Sequence, residues 1–239
     1  MSETSPGNAR GKMIASGTIA AVRVGRPAPL PGAGRRGADL VTAYFKTPVD
    51  GPVAVRPLGL DGDTQVNRRW HGGLEKAVYG YPASGYDGWR AEFADRAEQF
   101  VPGAMGENLV ILGLDEASVC IGDMIRAGTA LLQVAQHREP CATFTAVHGT
   151  AKLARAMTRS ARCGWYYRVL EPGIVAAGDS HDVVERHNPG WTVARFVHVI
   201  GGKAEAAEAL AELVTLPGLT PAWQAHAANA LATQQARLL

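Results

Sequence analysis

In GENLVILGLDEASVCIGDMIRAGTALLQVAQHREPC, residues 106–141, three short apolar runs at 109–112, 117–121 and 130–135 follow one another with only turn residues between them. Each run has the length of a β-strand and is bounded by residues that favour turns. A parallel βαβ sheet would need a helix after nearly every strand, and this stretch has no room for one. It therefore points to closely connected, mainly β structure.

The same texture extends in both directions. Residues 14–24 read as a first strand on Ile14, Ile19, Val22 and Val24, with shorter strands at 52–55 and 77–81 and a longer one at 173–185. Residues 26–37 read as loop, because Pro27, Pro29 and Pro31 exclude both a helix and a central strand. Two helices interrupt. In 83–100, Tyr86, Trp89, Phe93, Ala97 and Phe100 recur at three- and four-residue spacing, and 142–159 reads as the second. These elements predict an α+β, mainly β fold, a β-barrel with flanking helices over residues 13–189. At Gly190 the composition shifts. Residues 192–200, 204–214 and 221–237 are Ala-rich helical segments, the last opening at Pro221 with Thr220 placed as its cap. They predict a small three-helix appendage over 190–239, while residues 1–12 read as a disordered tail.

Composition sets further bounds. The chain has 239 residues, 46% hydrophobic and 19% charged, which excludes an intrinsically disordered class. Lys plus Arg total 24 and Asp plus Glu total 22, a net of +2 that argues against a nucleic-acid partner. No apolar run approaches a membrane span, so the expectation is a cytoplasmic protein without membrane attachment. Three cysteines, an odd number, cannot build a disulfide framework. A working cysteine here works as a thiolate.

Several constellations bear on chemistry. Residues 32–37 match G-x-G-x-x-G, but they neither leave a strand directly nor open a helix, so the dinucleotide reading fails. His181, Glu185 and His187 would share one strand face, yet the outer two would lie roughly 13 Å apart at about 3.3 Å per residue, too far for one zinc ion. Residues 68–77 place Gly72-Gly73 between His71 and Lys76. Backbone amides with a flanking cation suit an oxyanion; a solvated basic turn is the alternative. Gly106-Glu107-Asn108 reads either as a turn cap or as a hydrogen-bonding site, with Glu107 a structural partner for buried backbone. Cys141 follows a strand and Pro140, with His137 and Arg138 close by, a setting that favours the thiolate. Cys120 reads as an apolar filler, and Cys163 carries no signature.

Taken in order, the chain resembles the MOSC family, the molybdenum cofactor sulfurase C-terminal domain proteins, in the YiiM-like branch with a C-terminal three-helix domain. The residues carrying the likeness are Lys46-Thr47-Pro48-Val49, Leu58-Gly59-Leu60-Asp61-Gly62-Asp63-Thr64-Gln65, His71-Gly72-Gly73-Leu74-Glu75-Lys76-Ala77, Gly106-Glu107-Asn108-Leu109, Ile121-Gly122-Asp123 and Arg138-Glu139-Pro140-Cys141. The resemblance implies a β-barrel that binds a pterin-held molybdenum cofactor through the thiolate of Cys141. It implies reduction of N-hydroxylated compounds such as N-hydroxylated purine bases, with electrons from a separate flavoprotein reductase. Lys46, Gln65, His71, Gly72, Gly73, Lys76, Asn108, Gln136 and Arg138 are the candidate cofactor-binding residues. His71 joins Cys141 as a catalytic candidate, and His137 is a second candidate proton donor. A sulfur or cofactor carrier, with a persulfide on Cys141 and no turnover, is the alternative. A family-level pyridoxal phosphate association and a homodimer are compatible with the resemblance. The chain departs from the family at Met105, where an aromatic residue is usual, at His137, where proline is common, and in the inserted loop 27–37 near the expected pocket mouth.

Overall fold

The computed structural model describes residues 13–34, 37–202 and 207–236. The predicted tail at 1–12 and the first positions of the 204–214 segment lie outside these residues. The strands, in chain order, are β1 (Ala15–Gly25), β2 (Ala28–Leu30), β3 (Leu40–Thr42), β4 (Lys46–Pro48), β5 (Val53–Arg56), β6 (Gly59–Leu60), β7 (Val78–Pro82), β8 (Leu109–Leu112), β9 (Met124–Ala127), β10 (Ala130–His137), β11 (Trp165–Glu171), β12 (Gly173–Val175) and β13 (Ser180–Glu185). The helices are α1 (Arg68–His71), α2 (Ser84–Glu92), α3 (Ala142–His148), α4 (Ala151–Ser160), α5 (Val193–Ile200), α6 (Ala207–Val214) and α7 (Pro221–Ala236).

Seven strands close into a barrel in the order β13-β9-β10-β11-β7-β8-β1, with β13 pairing back onto β1, and β4 extends from the outer part of β1. Every barrel pair is antiparallel except β7 with β8. That parallel step is made through a long helical crossover, α2 and the 3₁₀ turn Ala94–Gln99, as parallel pairing requires. Closure removes the exposed edges of the sheet. The apolar cluster fills the barrel with Ile19, Ile111, Ile125, Leu132, Val134 and Trp165 and continues outward to Phe196, Leu213 and Trp223 of the C-terminal helices.

Several expected elements are redrawn. Residues 117–121 form no strand. Asp115 Oδ1 accepts the Ala117 and Ser118 amides, which winds a turn, and Cys120 makes only an isolated bridge to Thr192. The missing strand is β9, a few residues later. The 173–185 run breaks into β12 and β13, where Asp179 Oδ2 accepts the Ala176 amide. The 83–100 helix is α-helical only to Glu92 and then tightens into 3₁₀ geometry. The 142–159 helix breaks at Gly149, which sits at φ +63° as the C-cap of α3. At Pro221 the Thr220 hydroxyl makes no hydrogen bond; its backbone carbonyl accepts from Trp223 and Gln224 instead. Residues 32 and 37 lie between β2 and β3, a two-stranded ribbon, so the pattern is followed by a strand and not by the helix a dinucleotide turn opens.

Candidate active site

One end of the barrel opens into a cleft of ≈ 440 Å³, within the range of small-molecule sites. Its lining includes four cations, Lys46, Arg68, Lys76 and Arg138, and one carboxylate, Asp63. His71, Gln65, Asn108, Cys141 and the tyrosines 44, 79 and 166 complete its polar surface. The inserted ribbon reaches this cleft through β3, whose Leu40, Val41 and Thr42 form part of one wall.

Cys141 is half-buried and sits at the N-cap of α3, directly after the turn that leaves β10. Burial alone would raise its thiol. The hydrogen bond with His71, the Arg138 guanidinium and the Phe144 amide together outweigh burial and bring the thiol down to about 6. At neutral pH it is a thiolate, both nucleophile and soft ligand. Cys120 and Cys163 are buried, and burial raises both thiols.

Arg138 is 4% exposed. Its guanidinium lies over the Phe144 ring at 4.5 Å and near the Tyr79 ring at 5.9 Å, and Nη1 meets the Met157 sulfur at 3.6 Å. Burial would lower its pKa, but the surrounding phenols and Cys141 hold it above the ordinary range. Among the described residues no carboxylate forms a salt bridge with it. A buried cation is costly unless it is paired; the Cys141 thiolate offsets part of that cost, and the cleft's four cations still outnumber its two anions, which suits an incoming anion.

Lys46 Nζ contacts Asp63 Oδ1 at 2.5 Å, with both side chains nearly sealed from solvent. Burial lowers the Lys46 ammonium, and Asp63 opposes the shift. Asp63 Oδ2 is buried without a partner. Lys76 donates to the Trp70 carbonyl at 2.8 Å and lies 5.9 Å from the Tyr166 ring centre; burial lowers its pKa, against Glu139 and Cys141.

The structure thus brings Cys141, His71, Lys46, Lys76, Arg138, Gln65 and Asn108 to one cleft. The Asn108 amide is already engaged, accepting from the Tyr79 amide and donating to the Arg23 carbonyl, so it pins β8 between its neighbours. Glu107 is wholly buried, accepting from the Tyr86 hydroxyl and the Gly103 and Met105 amides, the structural part expected of it. Gly72 and Gly73 do not line the cleft. Gly72 lets the turn close over Gln65, since a Cβ there would meet Gln65 Oε1 at 2.7 Å. Gln136 borders a shallower cleft that shares Cys141, His71 and Lys76. His137 leaves the site. It packs against Phe196 and Trp223, and burial lowers it to about 3, so it does not donate a proton near neutrality. His181 is buried against the Tyr167 hydroxyl, and His187 pairs with Glu185; the described residues contain no group of three metal-ligating side chains. The sequence reading gave no role to Tyr44, Tyr79 and Tyr166, nor to Asp63.

Residues 67–182, which include Cys141 and much of the basic cleft, match the MOSC domain model. The chain belongs to the MOSC domain family, in its YiiM-like branch. It is 40% identical over 145 residues to Protein YiiM of Escherichia coli, covering 61% of this chain and 65% of that protein. A protein of Gibberella moniliformis named Reductase is 34% identical over 202 residues, 84% of this chain but only 35% of the fungal protein. The crystal structure of YiiM from Geobacillus stearothermophilus superimposes with a TM-score of 0.74 at 30% identity, covering 90% of this chain and 99% of that one. MOSC domains are associated with the molybdenum cofactor at the family level. No helix among the described residues is long and apolar enough to cross a membrane.

Proposed function

We propose that this protein is a molybdenum-cofactor-dependent reductase of N-hydroxylated compounds, such as N-hydroxylated purine bases, supplied with electrons by a separate flavoprotein. The observation that carries this reading is a half-buried thiolate beside a buried guanidinium that forms no salt bridge with a carboxylate among the described residues. The donor set fits the group. A thiolate suits a soft transition metal, and Arg138 with Lys76, in a cleft whose four cations outnumber Asp63 and the Cys141 thiolate, suits a phosphate. When bound, the cofactor supplies the two-electron reduction that cleaves the N–O bond.

The chain's own residues position, orient and protonate. Cys141 Sγ would hold the metal, Arg138 and Lys76 would hold the phosphate, and the Lys46–Asp63 pair presents a polar wall. The rings of Tyr44, Tyr79 and Tyr166 provide flat surfaces for a planar base. His71, hydrogen-bonded to Cys141, is placed to deliver a proton from its ring nitrogen to the leaving hydroxyl oxygen. The balance is R–NHOH with two electrons and two protons giving R–NH₂ and water.

The test is expression in a host that makes the pterin, elemental analysis, and turnover of a hydroxylaminopurine with dithionite as electron source. Wild-type protein should carry molybdenum and turn over, and Cys141→Ala should lose both. Retained molybdenum and activity in that variant, or a metal-free persulfide on wild-type Cys141, would overturn the proposal.

A further inference from the structure

Two clefts meet at Cys141. Besides the large basic one, a smaller cleft of ≈ 240 Å³ shares its Cys141, His71, Lys76 and Tyr166. Trp70, Gln136 and Glu139 line the small cleft and not the large one. Its walls present accessible surface: Trp70 is 59% exposed, Glu139 is exposed, and Cys141 is half-buried. The volume suits a two-ring base.

The two clefts differ in sign. Apart from the Cys141 thiolate and Lys76, which both contain, the large cleft holds Lys46, Arg68 and Arg138 against Asp63, and the small one holds the Glu139 carboxylate alone. A phosphate-bearing group is drawn to the first and repelled by the second. A carboxylate accepts hydrogen bonds and donates none, so Glu139 selects a compound with N–H groups and no negative charge. The Trp70 indole offers such a compound an accessible aromatic surface. His71, which lines both clefts, borders a ligand in either.

We infer that the small cleft is the substrate's seat: it binds a neutral or cationic N-hydroxylated base, with Glu139 accepting from its N–H groups and Trp70 against its ring, while the large cleft keeps the phosphate-bearing cofactor. The inference rests on the reductase reading and narrows it. Glu139 is the residue that separates a free base from the corresponding nucleotide, whose phosphate it repels. Of the three tyrosines in the large cleft only Tyr166 also lines the small one, so it is the one that meets the substrate. Gln136, expected on the cofactor, lies on the substrate side.

The first test uses the cofactor-free full chain with adenine, a base that lacks the N-hydroxyl group, and inorganic phosphate. Trp70 is the only exposed tryptophan among the described residues, the others being at most 8% exposed, so adenine in this cleft should quench the tryptophan emission saturably. Saturating phosphate should leave the adenine affinity unchanged, and Glu139→Lys should weaken it about tenfold. The second test uses the loaded enzyme with dithionite. Hydroxylaminopurine as the free base should exceed its nucleoside monophosphate in kcat/KM by about tenfold or more. Glu139→Lys should bring the two together, chiefly through KM, with molybdenum content unchanged. An absence of saturable quenching, competition between adenine and phosphate, adenine affinity undiminished in Glu139→Lys, or a base preference that survives it would each overturn the inference. Adenine bound by protein that takes up no molybdenum would support this seat while overturning the reductase reading.

Discussion

The chemistry of Cys141 is set by neighbours that arrive from different parts of the chain, and each can be removed. An unperturbed thiol is half ionised near about pH 8.5, whereas Cys141 ionises near 6. Alkylation by iodoacetamide should therefore rise through about pH 6 and level off well below the range of an ordinary thiol, while Cys120 and Cys163 stay unreactive. His71→Phe or Arg138→Met should each move the midpoint up, and a midpoint unmoved in both would show that neither ionises the thiol. Arg138 also bears on stability. Arg138 is held by the Cys141 thiolate and the aromatic rings around it, so Arg138→Met, which leaves that thiolate half-buried without its cation, should destabilise the protein by roughly 1–2 kcal/mol in urea denaturation near pH 7.5 while it removes the anion site. Unchanged or higher stability would mean that the pair gives no net stabilisation to the fold. Cys141, His71, Lys76 and Arg138 were legible in the sequence because they sit beside glycines or a proline at turns and strand ends, whereas Lys46 came only with the family resemblance. Tyr79 and Tyr166 were not. Inside strands an aromatic reads as core by its period, and their facing across β7 and β11 is a register that sequence does not state.

At the level of elements, local chemistry was readable where hydrophobic period and turn signals agreed. Leu109–Leu112 has the boundaries its apolar run implies, and Val193–Ile200 is capped by Thr192 accepting the Arg195 amide. The misread stretches share one cause. At 117–121, at 173–185 and beside Gly149, a side chain or a glycine offers the backbone a turn that competes with the apolar pattern. Gly149 makes the point testable. Its φ of +63° lies in the left-handed region, and nothing stands within 4 Å of where a Cβ would project, so substitution costs strain without a clash. Gly149→Ala should lower stability by about 1 kcal/mol in chemical denaturation with α3 and α4 intact by circular dichroism. An unchanged or higher stability would show that the break between the helices is not held by this backbone conformation.

For the molecule as a whole, the close spacing of short strands announced a barrel, but neither which strands close it, β13 onto β1, nor the seating of the C-terminal helices against the end of β10 was visible in the sequence. Both are pairings of distant segments decided by packing. That packing also leaves a titration signature. His137, His148 and His181 are buried, and desolvation lowers them to about 3, 4 and 4. A histidine lowered in the folded state binds its proton in the unfolded chain first, so its contribution to stability is present above about pH 6.5 and lost as pH falls. Glu116 has the opposite sign. Burial raises it to about 7, so it holds its proton in the folded state, and its contribution fades as pH rises from its ordinary range toward 7. Between about pH 4.5 and 6.5 three histidines oppose one carboxyl, and the unfolded chain binds about two more protons than the folded one. Stability should climb with pH across that window by roughly 2–3 kcal/mol per unit. Urea midpoints measured at intervals across it give the slope directly. His137→Phe should remove about half of the rise, and Glu116→Gln should steepen it. A flat profile would mean that the three imidazoles meet water in the folded protein and that the helices do not seal the end of the barrel.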